Sequence, residues 1–131
     1  EQNKLKSDQF LKKNKIKDGV IELDSGLQYK VIRTGSGKSP TVNESVKVHY
    51  IGKYLDGTVF DSSVEKNVPS ELSLRSVMKG WTEALQLMKV GAKWELYVPP
   101  ALAYGRRGNG GKIGPNELLV FELELIDVVS N

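Results

Sequence analysis

The alternation that runs from Leu118 to Val129 constrains the fold more than any other feature of this chain. Leu119, Phe121, Leu123 and Leu125 are set against Val120, Glu122 and Glu124, and successive side chains of a strand point to opposite faces. A period of two over this length predicts one long strand with a single buried face. Such a strand needs neighbours to pair its backbone and a second layer to cover its apolar side. The same period recurs upstream. Leu27 to Ile32 sets Leu27, Tyr29 and Val31 against Gln28 and Lys30, and Ser45 to Ile51 sets Val46, Val48 and Tyr50 against Lys47, His49 and Ile51. Val20 to Leu23, the stretch through Phe60 and Lys93 to Val98 read as further strands, the last ended by Pro99-Pro100 because proline cannot donate to a ladder. Asp56-Gly57 predicts a tight hairpin turn with positive φ at both central positions.

One helix interrupts this pattern in the body. Trp81, Leu85 and Met88 fall at i, i+4 and i+7, with Thr82, Glu83 and Gln86 on the polar side. Five or six antiparallel strands and one short helix make an α+β domain in which the helix covers the apolar face of a curved sheet. Ahead of it, Gln2 to Lys17 is polar and free of Gly and Pro, and Asp18-Gly19 supplies a stop, so an N-terminal helix is expected. Its apolar residues, Leu5, Phe10, Leu11 and Ile16, are too sparse to hold a solitary helix in water, which predicts packing on the body or on another chain. The expected organisation is a helical linker over 1–19 and one domain over 20–131, since 131 residues leave no room for a second core. With no initiator Met and no signal-peptide pattern, a processed or truncated N-terminus is expected.

Composition removes several functions. Zero cysteines exclude disulfides, thiolate nucleophiles, iron–sulfur clusters and most structural zinc sites, and the single histidine, His49, excludes a multi-histidine metal site; no metal and no cofactor is expected. The net charge of +3 comes from the leader: Glu1 to Gly19 holds six lysines against three acids, and the rest of the chain balances at 13 and 13. A short lysine-rich lead is more simply a solvated helix face than a nucleic-acid surface. The longest apolar run, Leu118 to Phe121, is four residues, far short of the ~18 that a membrane span requires.

Bond-breaking chemistry finds little support. No spacing singles out a pair of carboxylates, and no glycine-flanked serine elbow occurs. Gly105 to Gly114 holds five glycines in ten residues, but no Lys-Ser or Lys-Thr follows them and no helix begins there, so the loop is not a phosphate cradle. Aromatics are conspicuous instead. Tyr50, Phe60, Trp81, Tyr104 and Phe121 stand at strand ends, a helix start and a loop edge, where side chains can line a concave pocket.

Five ordered blocks carry a resemblance: VHYIG at 48–52, DGTVFDS at 56–62, Gly80-Trp81 followed by Glu83-Ala84-Leu85, Ala103-Tyr104-Gly105, and LVFELEL at 119–125. In that order and spacing the chain, over roughly Ser25 to Val129, resembles the FKBP-type peptidyl-prolyl cis/trans isomerases. Phe10 to Ile32 is further similar to the linker of the bacterial macrophage infectivity potentiator group, in which a helical N-terminal part dimerises. The resemblance implies a five- to six-stranded antiparallel half-barrel wrapped on a short helix, with the pocket between them. It implies Trp81 as the pocket floor, with Tyr50, Phe60, Val77, Met78, Tyr104, Ile113 and Phe121 as walls. Asp61 would sit at the rim, and the Ile113 N–H would grip the carbonyl before the substrate proline. Leu72 stands where an aromatic is common in the family, and Gly110-Gly111 where some relatives carry a histidine. The implied partners are proline-containing polypeptides and macrolide inhibitors such as tacrolimus and rapamycin. The linker implies a homodimer through a longer N-terminal region and a bacterial periplasm or outer membrane surface, with cytoplasm as the alternative.

Each residue also has a plainer reading. Trp81, Tyr50 and Phe121 could be ordinary core, Asp61 could cap a turn, and His49 could be a sheet-packing residue. Tyr104, at the base of a glycine-rich loop, is poorly placed for a core. A non-catalytic peptide-binding or chaperone module using the same pocket remains a second class.

Overall fold

The structure, a computed structural model, describes residues 2–129. Glu1, Ser130 and Asn131, the outermost residues of the two expected segments, lie outside it. The chain opens with helix α1 (Gln2–Asn14) and continues through strands β1 (Val20–Glu22), β2 (Gln28–Arg33), β3 (Ser45–Lys53) and β4 (Val59–Ser62). A one-turn helix α2 (Ser63–Lys66), strand β5 (Ser70–Ser73), helix α3 (Lys79–Leu87), β6 (Lys93–Val98) and β7 (Leu119–Val129) follow. All pairings are antiparallel, in the order β1-β2-β6-β7-β3-β4, with β5 also bonded to β3. The sheet is open, and it holds seven strands where the alternation indicated five or six. The extra strand is β5, SELS, four residues too short and too polar to show a period.

Strand β7 is the spine, paired along most of its length with β3 on one side and β6 on the other. Leu119, Phe121, Leu123 and Leu125 are buried and the residues between them are half-buried, as the period of two requires. Helix α3 lies on that face. Trp81, Ala84, Leu85 and Met88 join Val46, Val48, Leu96 and the β7 leucines in one core cluster. At roughly 1.5–3 kcal/mol per fully buried large apolar side chain, this cluster is the main favourable contribution to the fold.

Two local readings are corrected. The β3–β4 connection, residues 54–58, is closed by Gly57 N–H to Tyr54 O (3.0 Å) and Tyr54 N–H to Thr58 O (2.9 Å), leaving three residues between Tyr54 and Thr58. Only Gly57 takes positive φ, 91°, while Asp56 does not; its carboxylate instead accepts from Thr58 N–H (2.9 Å), so a type I turn with a glycine bulge replaces the mirror-image turn. Helix α1 ends at Asn14, short of the Asp18-Gly19 pair.

Helix α1 lies on the body, one of the two placements its sparse apolar pattern left open, and it is held by polar groups. Leu5 and Ile16 are exposed, whereas Ser7 and Asn14 are buried. Asn14 Nδ2 donates to Gln28 Oε1 (2.8 Å), Gln28 Nε2 donates to Leu11 O (3.0 Å) and Glu22 Oε2 (2.9 Å), and Ser7 Oγ donates to Asn116 O (2.9 Å). Phe10 adds a ring contact with Tyr97 at 5.8 Å. Leaving buried polar partners unpaired costs about 1–3 kcal/mol each. Gln28→Leu therefore strips Asn14 and the Leu11 carbonyl together. The expected outcome is loss of amide hydrogen-exchange protection in α1 by ~10- to 100-fold, with the amides of β7 retaining theirs.

Candidate active site

Between α3 and the concave face of the sheet lies a cavity of about 440 Å³. The indole of Trp81 forms its floor, as the first buried aromatic of α3. Phe121 of β7 meets that indole edge-to-face, with centroids 5.0 Å apart and planes at 83°, and Tyr50 of β3 meets it at 5.3 Å and 69°. Phe60 of β4 stands against Phe121 at 5.9 Å and 77°. Edge-to-face packing is the favoured geometry for ring quadrupoles, and here it builds walls rather than a filled layer. Gly52 permits the arrangement, because a Cβ there would lie 2.8 Å from Phe60 Cζ and 2.9 Å from Phe121 Cε1.

The remaining wall comes from short segments. Val77 and Met78 precede α3, and Leu72 comes from β5. Tyr104 closes the opposite side, 41% exposed, at the base of the glycine-rich loop, as a residue that no core claims. Ser76 and Ala103 also line the cavity. Ala103 lies inside the Ala-Tyr-Gly block, whereas nothing in the sequence marks Ser76.

Ile113 is not brought to the lining. It is 3% exposed within the core cluster, and its N–H already donates to Asn109 Oδ1 at 3.0 Å. A free backbone donor lies elsewhere on the wall: the N–H of Met78, the residue before α3, meets no acceptor among the described residues. The buried Trp81 Nε1 is likewise without a hydrogen-bond partner. A core chosen for stability alone would shed an unpaired donor costing about 1–3 kcal/mol.

Asp61 is the one charged residue of the lining. Its Oδ2 accepts from the Tyr50 hydroxyl (2.7 Å), and its Oδ1 accepts from Ser62 N–H (2.9 Å) and lies 3.5 Å from Lys66 Nζ. The N-cap of α2 is Ser62, whose hydroxyl accepts from Glu65 N–H. Burial acts to raise the Asp61 pKa, but the Tyr50 hydroxyl, the Lys66 ammonium and the Ser62 amide together outweigh it and hold the carboxyl below its ordinary value. Tyr50 shifts the other way: burial first, then the adjacent carboxylate, push its hydroxyl up to about 12. His49 turns away from the cavity, its Nδ1 hydrogen-bonded to Ser63 Oγ at 2.9 Å. Among the described residues, no group of three or more histidine and acidic side chains is placed to hold a metal ion.

A cup of aromatic rings with one pre-neutralised carboxylate suits binding of an uncharged, apolar group. The family model for FKBP-type peptidyl-prolyl cis-trans isomerase matches residues 36–126. The chain belongs to this family. A second model, for the domain amino terminal to FKBP-type peptidyl-prolyl isomerases, matches residues 1–31. The chain is 56% identical over 126 residues to the peptidyl-prolyl cis-trans isomerase Mip of Coxiella burnetii, a match covering 96% of this chain and 55% of that protein. It is 52% identical over 128 residues to the outer membrane protein MIP of Legionella longbeachae, covering 98% and 55%. The crystal structure of a peptidyl-prolyl cis-trans isomerase from Pseudomonas syringae superposes with a TM-score of 0.92 at 41% identity, covering 98% of this chain and 95% of the other. The chain thus spans about half the length of the two curated relatives.

The Asp61 pairing has a direct check. A depressed folded pKa contributes stability that is complete above the ordinary value of 3.8 and lost as pH falls through the lowered one. Tyr50→Phe removes the strongest influence opposing burial, so the Asp61 carboxyl is expected to titrate at higher pH than in the parent protein. Carboxyl carbon chemical shifts followed against pH read this directly, and an unmoved midpoint would refute the pairing.

Proposed function

We propose that this chain is a peptidyl-prolyl isomerase that accelerates rotation about X–Pro bonds in polypeptides through its aromatic cup, without covalent catalysis. The observation that carries this reading is the cavity of about 440 Å³, floored by Trp81 and walled by Tyr50, Phe60, Tyr104 and Phe121, whose single charge is already held by Tyr50 and Lys66.

Rotation about the bond is slow because amide resonance must be lost, at a barrier of about 18–20 kcal/mol, yet no covalent bond is made or broken. No nucleophile is needed. In the twisted state the amide is less dipolar and its nitrogen more pyramidal, so it loses less than the planar form does on leaving water. A dry aromatic cup therefore favours the twisted form. A preference of about 5 kcal/mol over either planar isomer accelerates rotation by three to four powers of ten, since ~1.36 kcal/mol is tenfold.

In this reading the proline ring stands on the Trp81 indole between Phe60, Tyr104 and Phe121, with Val77 and Leu72 at the outer edge. The Met78 N–H grips the preceding carbonyl, the role that the family resemblance assigned to Ile113 N–H. Asp61, held by Tyr50, keeps the rim polar and the proline carbonyl oriented.

Residues 1–19 serve as the helical linker and 20–131 as the isomerase domain; two separate family matches, 1–31 and 36–126, support a two-part organisation, although they divide at 31–36 and not at 19–20. Proline-containing polypeptides are the substrates and macrolides such as tacrolimus and rapamycin the inhibitors. Residence in the bacterial periplasm or on the outer membrane is supported by the name of a relative, the outer membrane protein MIP of Legionella longbeachae, and homodimerisation through a longer N-terminal region belongs to the same reading. No helix among the described residues is long and apolar enough to cross a membrane.

A proline-limited refolding assay tests the activity. The expected result is catalysis at micromolar protein, reduced about two- to fivefold by Tyr104→Phe and by tenfold or more, ~1.4 kcal/mol, by Trp81→Ala. Binding of a proline peptide without any acceleration would identify a peptide-binding module instead, and indifference to both substitutions would remove the assigned site.

A further inference from the structure

Outside the cup, three contacts between three chain segments close on one another. Tyr54, the first residue after β3, packs its ring on Phe60 at 5.0 Å and donates its hydroxyl to the carbonyl oxygen of Lys112 at 2.6 Å. Lys112 in turn donates from Nζ to the carbonyl oxygen of Phe60 at 3.1 Å. The triangle 54–112–60 thus ties the glycine-rich loop to the back of a pocket wall. Neither Tyr54 nor Lys112 lines the cup.

The loop has one buried anchor, Ile113 in the core cluster, and the rest of it is held by polar contacts. Gly105, Gly108 and Gly110 hold positive φ, and a segment so rich in glycine loses more conformational freedom on ordering than any other composition. Its far end is knotted by Asn109, whose Oδ1 accepts from Gly111 and Ile113 N–H and whose own N–H donates to Ile113 O. That knot shapes the loop internally but bonds it to nothing on the sheet. The bonds of Lys112 to Tyr54 and Phe60 join the loop to the β3–β4 hairpin. Tyr104 at the loop's base and Phe60 on β4 both line the cup, so the tie joins the loop that carries one wall to the strand that carries another.

We propose that Tyr54 and Lys112 are positioning residues for the isomerase reaction: together they lash the glycine-rich loop to the back of Phe60 and keep the cup preorganised for the twisted amide. This rests on the isomerase reading above. A preorganised wall favours the transition state over the bound ground state, so its loss lowers kcat more than it raises KM. A lysine merely solvated on the surface would affect neither.

The test compares the parent chain with Tyr54→Phe, Lys112→Met, their double variant and Lys112→Arg, measuring kcat and KM for an X–Pro peptide, urea midpoints and amide relaxation dispersion. Each single variant is expected to lose about three- to fivefold in kcat with KM within about twofold. The double variant is expected to lose less than the product of the singles, because both act on one tie. Lys112→Arg, which still donates to Phe60 O, restores most of the rate. Gly110 and Gly111 amides are expected to gain microsecond–millisecond exchange in Lys112→Met. An active parent with unchanged kcat in both single variants overturns the proposal. So does a rate loss that merely follows the urea midpoint, or that Arg fails to rescue, or Lys112→Met amides without new exchange. A parent chain that does not isomerise the peptide removes the isomerase reading, and this proposal with it.

Discussion

The edge-to-face contact of Phe121 on Trp81 is the constraint on which the site depends. One ring rises from near the start of the central strand β7 and the other from the first turn of α3, so the contact locks the covering helix to the sheet. Aliphatic side chains at these positions would interdigitate and fill the layer, as interiors normally do. Rigid rings meeting at 83° cannot collapse onto one another. Tyr50 and Phe60 continue the same geometry outward, and where the helix stops the core becomes a hollow. Gly52 is the complementary concession on the sheet, giving up a side chain where two rings must pass.

The electrostatics of the cup follow from that apolar frame. A carboxylate beside aromatic walls would carry a desolvation penalty, and a bare one would draw water into the hollow. Asp61 offsets that penalty because a phenol, an ammonium and a backbone amide share its charge. The proton of Tyr50 is held across the whole physiological range by burial and by that carboxylate. The pair acts as a fixed dipole at the rim, and the rest of the lining stays available for a group that prefers to be dry. Among the described residues, the N–H groups of Met78 and of the Trp81 indole are polar features of the cup without a hydrogen-bond partner.

The N-terminal helix obeys a different logic. Its mean composition cannot hold it by apolar burial, and it lies on the body through Asn14, Gln28 and Ser7. Hydrogen bonds of this kind specify one orientation while contributing little net stability each. A helix attached in this way is directed rather than buried.

Much of this was readable in the chain itself. The period of two at 118–129, the helical spacing of Trp81, Leu85 and Met88, and the proline stop after Val98 depend on side chains placed by local backbone geometry, so they fix the antiparallel sheet, its buried face and its covering helix. The five aromatics of the ordered blocks, Tyr50, Phe60, Trp81, Tyr104 and Phe121, come together in the lining of the cavity, whereas Leu72, Ser76, Val77 and Met78 lie outside those blocks. What stayed hidden has a common cause. Strand β5 is ordered only by pairing with β3, the turn at Asp56-Gly57 takes its type from the strands that enter it, and α1 stops where Asn14 finds Gln28. The Ile113 N–H was lost to Asn109, four residues away within a loop whose glycines carry no directional signal. Local periodicity determined which faces are apolar; only the three-dimensional packing decided which backbone donors are already spent, because a hydrogen bond depends on where a partner lies in space and not on how far off it is in sequence.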